Sequence, residues 1–244
     1  MNLLGLFGKK DQKQKEPHCS AVIVAAGSSQ RMGSDKLLLK LGEIPVLART
    51  LKAFQESPLV DEIIVVTRME KLQETADLCK EFGIDKISRV IAGGKTRTES
   101  ALAGVSEVRK GAKLIAIHDG ARPLVTQDLI LRTVYAAAEN MAAAPAIPSV
   151  DTLKAVDAEG RIIGTVDRET TVRIQTPQVF HADIIKGALS YAVSHGLSLT
   201  DDSSAARMMG VKIHTVPGDP ENIKLTVPDD LVKGNAILKT RGEL

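Results

Sequence analysis

Two kinds of segment alternate along the chain. "AVIVAAG", "EIIVVT", "SRVIAGG" and "KLIAIHDGARP" are short apolar runs, whereas "PVLARTLKAFQES", "MEKLQETADLCKEFG", "RTESALAGVSEVRKG" and "TQDLILRTVYAAAEN" space their apolar residues at helical intervals. Uninterrupted apolar runs suit strands buried on both faces, and the spaced pattern suits helices with one apolar side. Strand followed by helix, repeated, predicts a parallel sheet covered by helices on two sides through right-handed crossovers. Gly83 and Gly111 are placed as left-handed caps at helix ends.

After "AAAPAIPSV" the rhythm changes. Asp151 to Phe180 alternates in short β-type stretches, turns at "AEGR" and carries no helical pattern; helix "ADIIKGALSYAVSHG", strand "VKIHTVPG" and helix "PDDLVKGNAILKT" then resume the earlier scheme. The expectation is one α/β domain over 19–244, with 149–178 as an inserted β-hairpin arm. Residues 1–18 read as a flexible basic tail, because their apolar stub precedes the lysines and offers no cleavage-type small-residue site. No internal repeat or low-complexity tract interrupts the pattern.

Composition narrows the function classes. With 244 residues, 43% hydrophobic and 25% charged, the chain suits a soluble globular protein with one substantial core. A net charge of +2 supplies no general field for a nucleic-acid backbone, so nucleic acid is not expected as a partner. No apolar run approaches the roughly 18 to 20 residues that span a bilayer. Cys19 and Cys79 lie far apart, without metal-ligand spacing, and read as inert buried thiols in a reduced, cytoplasmic protein.

In an open sheet of this kind, ligands bind in loops at the carboxyl ends of the strands. Those loops hold Gly27 to Lys36, Gly93 to Ser100 and Asp119 to Arg122. The first fits neither the Walker nor the dinucleotide pattern. It offers small residues, Ala25, Ala26 and Gly27, followed by Arg31, a planar fork, and Lys36, a compact charge; a triphosphate or a solvated turn would both fit. "AGGKTRTES" permits close backbone approach at Gly93 and Gly94, with Ser100 as a donor, or is a capped turn. Asp119 closes a buried strand, where a carboxylate needs a metal or a donor such as Arg122. Thr200 or Asp201 reads as a helix cap and Lys224, by composition, as a surface lysine. None of the five histidines lies near a nucleophile or metal cluster in sequence.

Taken in order, "AVIVAAGSSQRMGSDK", "GGKTRTES", "HDGARP", "DTLK", "VDRETTVRIQTPQVF", "TDDSSA" and "ENIKLTVPDDL" resemble the 2-C-methyl-D-erythritol 4-phosphate cytidylyltransferases of the non-mevalonate isoprenoid pathway, over nearly all of Ser20 to Lys239. The resemblance implies a three-layer, Rossmann-like α/β sandwich of the nucleotide-diphospho-sugar-transferase type, with a mostly parallel sheet and a homodimer joined through β-arms. It implies CTP and a polyol phosphate as substrates, with Mg²⁺ held mainly through the CTP phosphates. Ala25, Ala26 and Gly27 would line the cytidine site, Gly94, Lys95 and Ser100 the base, and Asp119 and Gly120 the ribose or metal. Arg31, Lys36 and Lys224 would be the catalytic cations. Arg122, Thr152 and Thr200 would hold the acceptor, and Arg168 and Thr176 would reach it from the partner's arm.

The chain departs from the family pattern at Ser29, where glycine is usual, at Asp35, where proline precedes the lysine, and at Leu37, where glutamine is common. Asp35 would put an acid near the phosphates. Ribitol 5-phosphate is the alternative acceptor, although "HDGARP" and "VDTLK" lean towards the erythritol enzymes. A nucleotide-binding regulator without turnover is the alternative of another class, and a dehydrogenase lacks its fingerprint.

Overall fold

Strand β1 (Cys19–Val24) shows why the apolar runs read as they do: Ala21 and Ile23 enter one core and Val22 the other, all fully buried. A strand covered on both faces has no polar side to show. The computed structural model describes residues 16–27, 35–197 and 199–244. The expected tail, over residues 1–15, and the Ser29 departure lie outside them.

After β1 come a small antiparallel pair, β2 (Lys40–Leu41) and β3 (Ile44–Pro45), then α1 (Val46–Gln55), β4 (Val60–Thr67), α2 (Leu72–Glu81), β5 (Ile87–Ala92), α3 (Arg97–Ser106) and β6 (Leu114–Asp119). Helix α4 (Gln127–Asn140) leads to β7 (Ala142–Pro148), then β8 (Lys154–Val156), β9 (Ile162–Thr165), β10 (Val172–Ile174) and β11 (Gln178–His181). The chain ends in α5 (Ala182–Ser194), α6 (Asp202–Met208), β12 (His214–Pro217) and α7 (Pro228–Arg241).

Strands β5, β4, β1 and β6 lie side by side and parallel; β11 is antiparallel to β6, β7 antiparallel to β11, and β12 parallel to β7. Helices α1, α2, α4 and α7 cover one face, and α3, α5 and α6 the other. The chain steps outward from β1 through β4 to β5, then returns to place β6 on the opposite side of β1. The carboxyl ends of β1 and β6 therefore flank a switch-point crevice. Helix α3 is set closely on β1 and β4: a Cβ at Gly104 would collide with Val22 and lie 2.8 Å from Val66 Cγ2, so only glycine allows this approach.

Two expectations change. Gly83, at φ +63°, does close α2, but Gly111, at φ +88°, lies beyond α3 and shapes the turn into β6. Of the segment expected as an arm, only β8 and β9 form a separate two-stranded sheet. β10 pairs with Ala146 to Pro148 of β7, and β11 inserts between β6 and β7. Alternation marks a strand but does not say which sheet it joins.

Candidate active site

Backbone hydrogen bonds hold the walls of the crevice. Ala25 is tied to β4 by its N–H to the Val66 carbonyl at 2.7 Å, and Gly93 N–H reaches the Thr67 carbonyl at 2.8 Å. A side chain at Gly93 would press on Ser100 Oγ and Ala26 Cβ, at 2.6 and 2.7 Å. Thr96 caps α3 by accepting the Glu99 N–H at 3.1 Å, and the Glu99 carboxylate accepts the Lys95 N–H at 2.6 Å. Ser100 lines the crevice, yet its hydroxyl donates to the Thr96 carbonyl at 2.8 Å and accepts the Gly94 N–H at 3.2 Å. These bonds, with the Thr96 cap, match the capped-turn alternative of the two readings that the sequence left open.

Asp119, at the end of β6, is the electrostatic centre. Lys224 Nζ lies 2.9 Å from Oδ2, Arg97 Nη2 3.4 Å from Oδ1 and Arg122 Nε 3.6 Å from Oδ2. Burial alone would raise its pKa, but Lys224, Arg97 and Arg122 together outweigh that and hold the carboxyl well below the usual carboxylate range. Lys224 is no ordinary surface lysine: the Leu225 N–H donates to the Ala121 carbonyl at 2.9 Å and Arg122 Nη1 to the Asn222 carbonyl at 2.7 Å, pinning its segment beside Asp119.

Two cavities meet at this carboxylate. One, of about 380 Å³, is lined by Ala25, Ala26, Gly27, Lys36, Gly94, Lys95, Ser100 and their neighbours. The other, of about 590 Å³, is lined by Arg122, Thr176, Thr200, Asp201 and Ser203 among others. Arg97, Asp119 and Lys224 line both.

A family model described as 2-C-methyl-D-erythritol 4-phosphate cytidylyltransferase matches residues 19–240. The chain belongs to this family. A relative from Caldanaerobacter subterraneus subsp. tengcongensis named 2-C-methyl-D-erythritol 4-phosphate cytidylyltransferase is 42% identical over 90% of this chain and 98% of its own length. One of the same name from Syntrophus aciditrophicus is 38% identical over 92% and 97%. The crystal structure of 4-diphosphocytidyl-2C-methyl-D-erythritol synthase from Anaerococcus prevotii superposes with a TM-score of 0.81 at 31% identity, covering 92% of this chain and 97% of that one. The fold is thus that of the cytidylyltransferases, with a mainly parallel central sheet.

Against this family frame, the expected residues fall into groups. Ala25, Ala26, Gly27, Lys36, Gly94, Lys95, Ser100, Asp119, Arg122, Thr176, Thr200 and Lys224 line the joined cavities. Gly120 packs behind them, its N–H donating to the Val24 carbonyl at 2.9 Å and its carbonyl accepting from Thr50 Oγ1 at 2.9 Å. Arg31 lies outside the described residues. Thr152 and Arg168 are exposed at either end of the β8–β9 hairpin and line neither cavity.

Thr176 corrects one expectation. It is buried in this chain's own cleft, where its hydroxyl accepts the Asp119 N–H at 3.1 Å, because β10 and β11 rejoin the main sheet on either side of it. It does not extend on an arm towards another subunit. Asp35 is also placed differently from the concern it raised: its carboxylate pairs with Arg68 and accepts the Leu37 N–H at 3.3 Å, so it braces the turn carrying Lys36.

Sequence reading missed Arg97, Asp202 and His118. Arg97 donates to both oxygens of buried Asp202, at 2.8 and 2.7 Å, from a position just inside α3. Its one local signal is an arginine directly after a helix cap, where the helix dipole disfavours a cation unless an acid compensates. Among the described residues, no group of three or more His, Cys, Asp or Glu could hold a metal ion. Asp119 offers a lone carboxylate already faced by cations. That donor set fits a divalent ion brought in on phosphate oxygens, and does not fit a resident protein-held ion.

Proposed function

We propose that this chain transfers CMP from CTP to 2-C-methyl-D-erythritol 4-phosphate, releasing pyrophosphate and 4-diphosphocytidyl-2-C-methyl-D-erythritol for isoprenoid precursor synthesis. The observation that carries the reading is the pair of adjoining cavities sharing Arg97, Asp119 and Lys224, one lined by small residues and Lys36, the other by Arg122 and hydroxyls.

The acceptor's phosphate oxygen forms a bond to the α-phosphorus while the bond to the α–β bridging oxygen breaks, and pyrophosphate carries the electron pair away. A phosphate monoester is already ionised at neutral pH, its second pKa being about 6, so no side chain must remove a proton. The protein's task is to hold two mutually repelling anions in line and to stabilise charge on the equatorial and leaving oxygens. Lys36 lines the nucleotide cavity and not the acceptor cavity, and Lys224 stands where both cavities meet. Arg31 completes the set of catalytic cations. Mg²⁺, bound through the CTP phosphates with Asp119 as its protein ligand, would supply further charge neutralisation.

Supplying CTP with either 2-C-methyl-D-erythritol 4-phosphate or ribitol 5-phosphate and measuring pyrophosphate release tests the reading. The erythritol substrate should be preferred by at least an order of magnitude in kcat/KM. Preference for ribitol phosphate would overturn the acceptor assignment; CTP binding without turnover on either would favour a regulator.

The reading includes a homodimer. Val156, Ile162 and Ile163 on the hairpin are more than half exposed, at 55%, 66% and 67%, which leaves an apolar strip for a second copy to cover. Thr152 and Arg168 would then complete the partner's acceptor cavity. Mixing an Arg168→Ala chain with a Lys36→Ala chain should restore about a quarter of wild-type activity, since random exchange in a twofold dimer leaves one intact site in each mixed pair. No recovery would mean that each chain is self-sufficient.

A further inference from the structure

The two substrate cavities are lined by different parts of the chain. The nucleotide side is formed at the start of α3, around Gly94 to Ser100, and the acceptor side at the start of α6, around Thr200 to Ser204. One side chain ties the two helix starts together. Arg97 Nη1 and Nη2 donate to Asp202 Oδ1 and Oδ2 at 2.8 and 2.7 Å, a two-pronged pairing of planar groups, and Nη2 also faces Asp119 Oδ1 at 3.4 Å. Asp202 is 1% exposed, so its charge has no water to fall back on. Both terminal nitrogens of Arg97 are committed to carboxylates. It is therefore fixed in place, unlike Lys224, whose flexible ammonium can leave Asp119 for a phosphate.

Resting on the cytidylyltransferase reading above, we infer that Arg97 is a positioning residue: pinned to Asp202, it locks the acceptor wall at α6 to the nucleotide wall at α3 and holds Asp119 between them. The function of the strut is alignment. In-line transfer needs the acceptor oxygen opposite the leaving group, and misplacement by about an ångström can cost a hundredfold in rate. The cap on α6 supports the same wall: Asp201 accepts the Ser204 N–H at 3.1 Å and Gln178 Nε2 at 3.1 Å, while Gln178 Oε1 accepts the Ser203 N–H at 2.9 Å. β11 thereby fixes one side of α6, and Arg97 fixes the other.

Lysine at 97 keeps the charge but cannot pair with both oxygens of Asp202. In the full-length protein, Arg97→Lys should lower kcat/KM for the erythritol acceptor ten- to a hundredfold, while the dissociation constant for CTP, read by calorimetry, changes less than about threefold. Asp202→Asn should give the same split, and the double variant should be no worse than the weaker single one, as expected when two residues act as a unit. Wild-type kinetics in Arg97→Lys would overturn the inference, as would equal losses in CTP binding and acceptor use, which would make Arg97 a direct phosphate ligand. Should Arg97→Lys fail to fold, wild-type kinetics in Asp202→Asn would overturn it equally. A wild-type chain inactive with the erythritol acceptor would sink the functional reading and this inference with it; an active wild type with an indifferent Arg97→Lys sinks the inference alone.

Discussion

Replacing Lys224 by alanine is expected to lower kcat/KM by about 100- to 1000-fold, the range seen when a preorganised donor is removed from a developing negative charge. Its ammonium lines both cavities and, without substrate, lies 2.9 Å from Asp119 Oδ2. Loss should therefore appear with both substrates. Lys36→Ala should differ, raising the KM for CTP and lowering kcat while leaving acceptor affinity nearly intact, because Lys36 lines the cavity proposed for the nucleotide and not the one proposed for the acceptor. The Lys224 side chain is 39% exposed and Asp119 keeps Arg97 and Arg122, so the alanine variant should stay folded, within about 1 kcal/mol of wild type. Near-normal turnover in a folded Lys224→Ala protein, measured by pyrophosphate release, would remove this residue from the mechanism.

The arrangement explains why a carboxylate stands among the cations at all. Arg97, Arg122 and Lys224 converge on a partly desolvated spot, where like charges raise one another's energy. Asp119 offsets that repulsion and keeps the three in place before any anion arrives. On the proposed mechanism, entering phosphates would then meet donors already oriented, with little reorganisation at the moment of transfer.

Much of this was legible in the sequence, and what was not has a common cause. The apolar runs disclosed β1, β4, β5 and β6 because strands buried on both faces leave no polar alternation, and the glycine-bearing loops after them had to lie at the crevice. Asp119 stood out as a charge ending a buried strand. Arg97 and Asp202 did not, because their meaning arises only when residues 105 positions apart meet. Lys224 looked like any surface lysine until the Asn222 and Leu225 backbone tied its segment to Arg122 and Ala121. The hairpin was recognisable from its turn and alternation, but its limits were not: Val172 to Ile174 has the same period as β8 and β9, yet pairs with β7 in the main sheet. Long-range pairing, not local propensity, decided each of these cases.

His118 provides the second large effect, on stability. It is fully buried beside Asp119 and against Phe54, with ring centroids 4.8 Å apart. The Arg122 carbonyl can only accept, which assigns the proton to His118 Nε2, donating to it at 3.2 Å. Nδ1 of the neutral ring then accepts the Thr176 hydroxyl proton at 3.0 Å, and that hydroxyl accepts the Asp119 N–H at 3.1 Å. A neutral imidazole thus clamps the backbone that carries Asp119 and Arg122. Burial drives its pKa down to about 3; Asp119 and the Arg122 carbonyl pull the other way, and the Arg122 and Lys224 charges add to the lowering. The unfolded chain's histidine takes up a proton near pH 6.5, whereas the folded one resists until about pH 3. Stability from this group is complete above pH 6.5 and is lost as pH falls towards 3, at about 1.4 kcal/mol per pH unit. Between pH 7 and 4.5 the wild type should therefore lose roughly 2 to 3 kcal/mol more than His118→Gln, whose amide can keep both hydrogen bonds without titrating. Urea unfolding at the two pH values measures the difference, since carboxylates common to both proteins cancel. The acid limb of kcat should be the same in both, following ionisation of the acceptor phosphate near pH 6. Parallel losses of stability in the two proteins would show that the buried imidazole is not the acid-sensitive joint of this site.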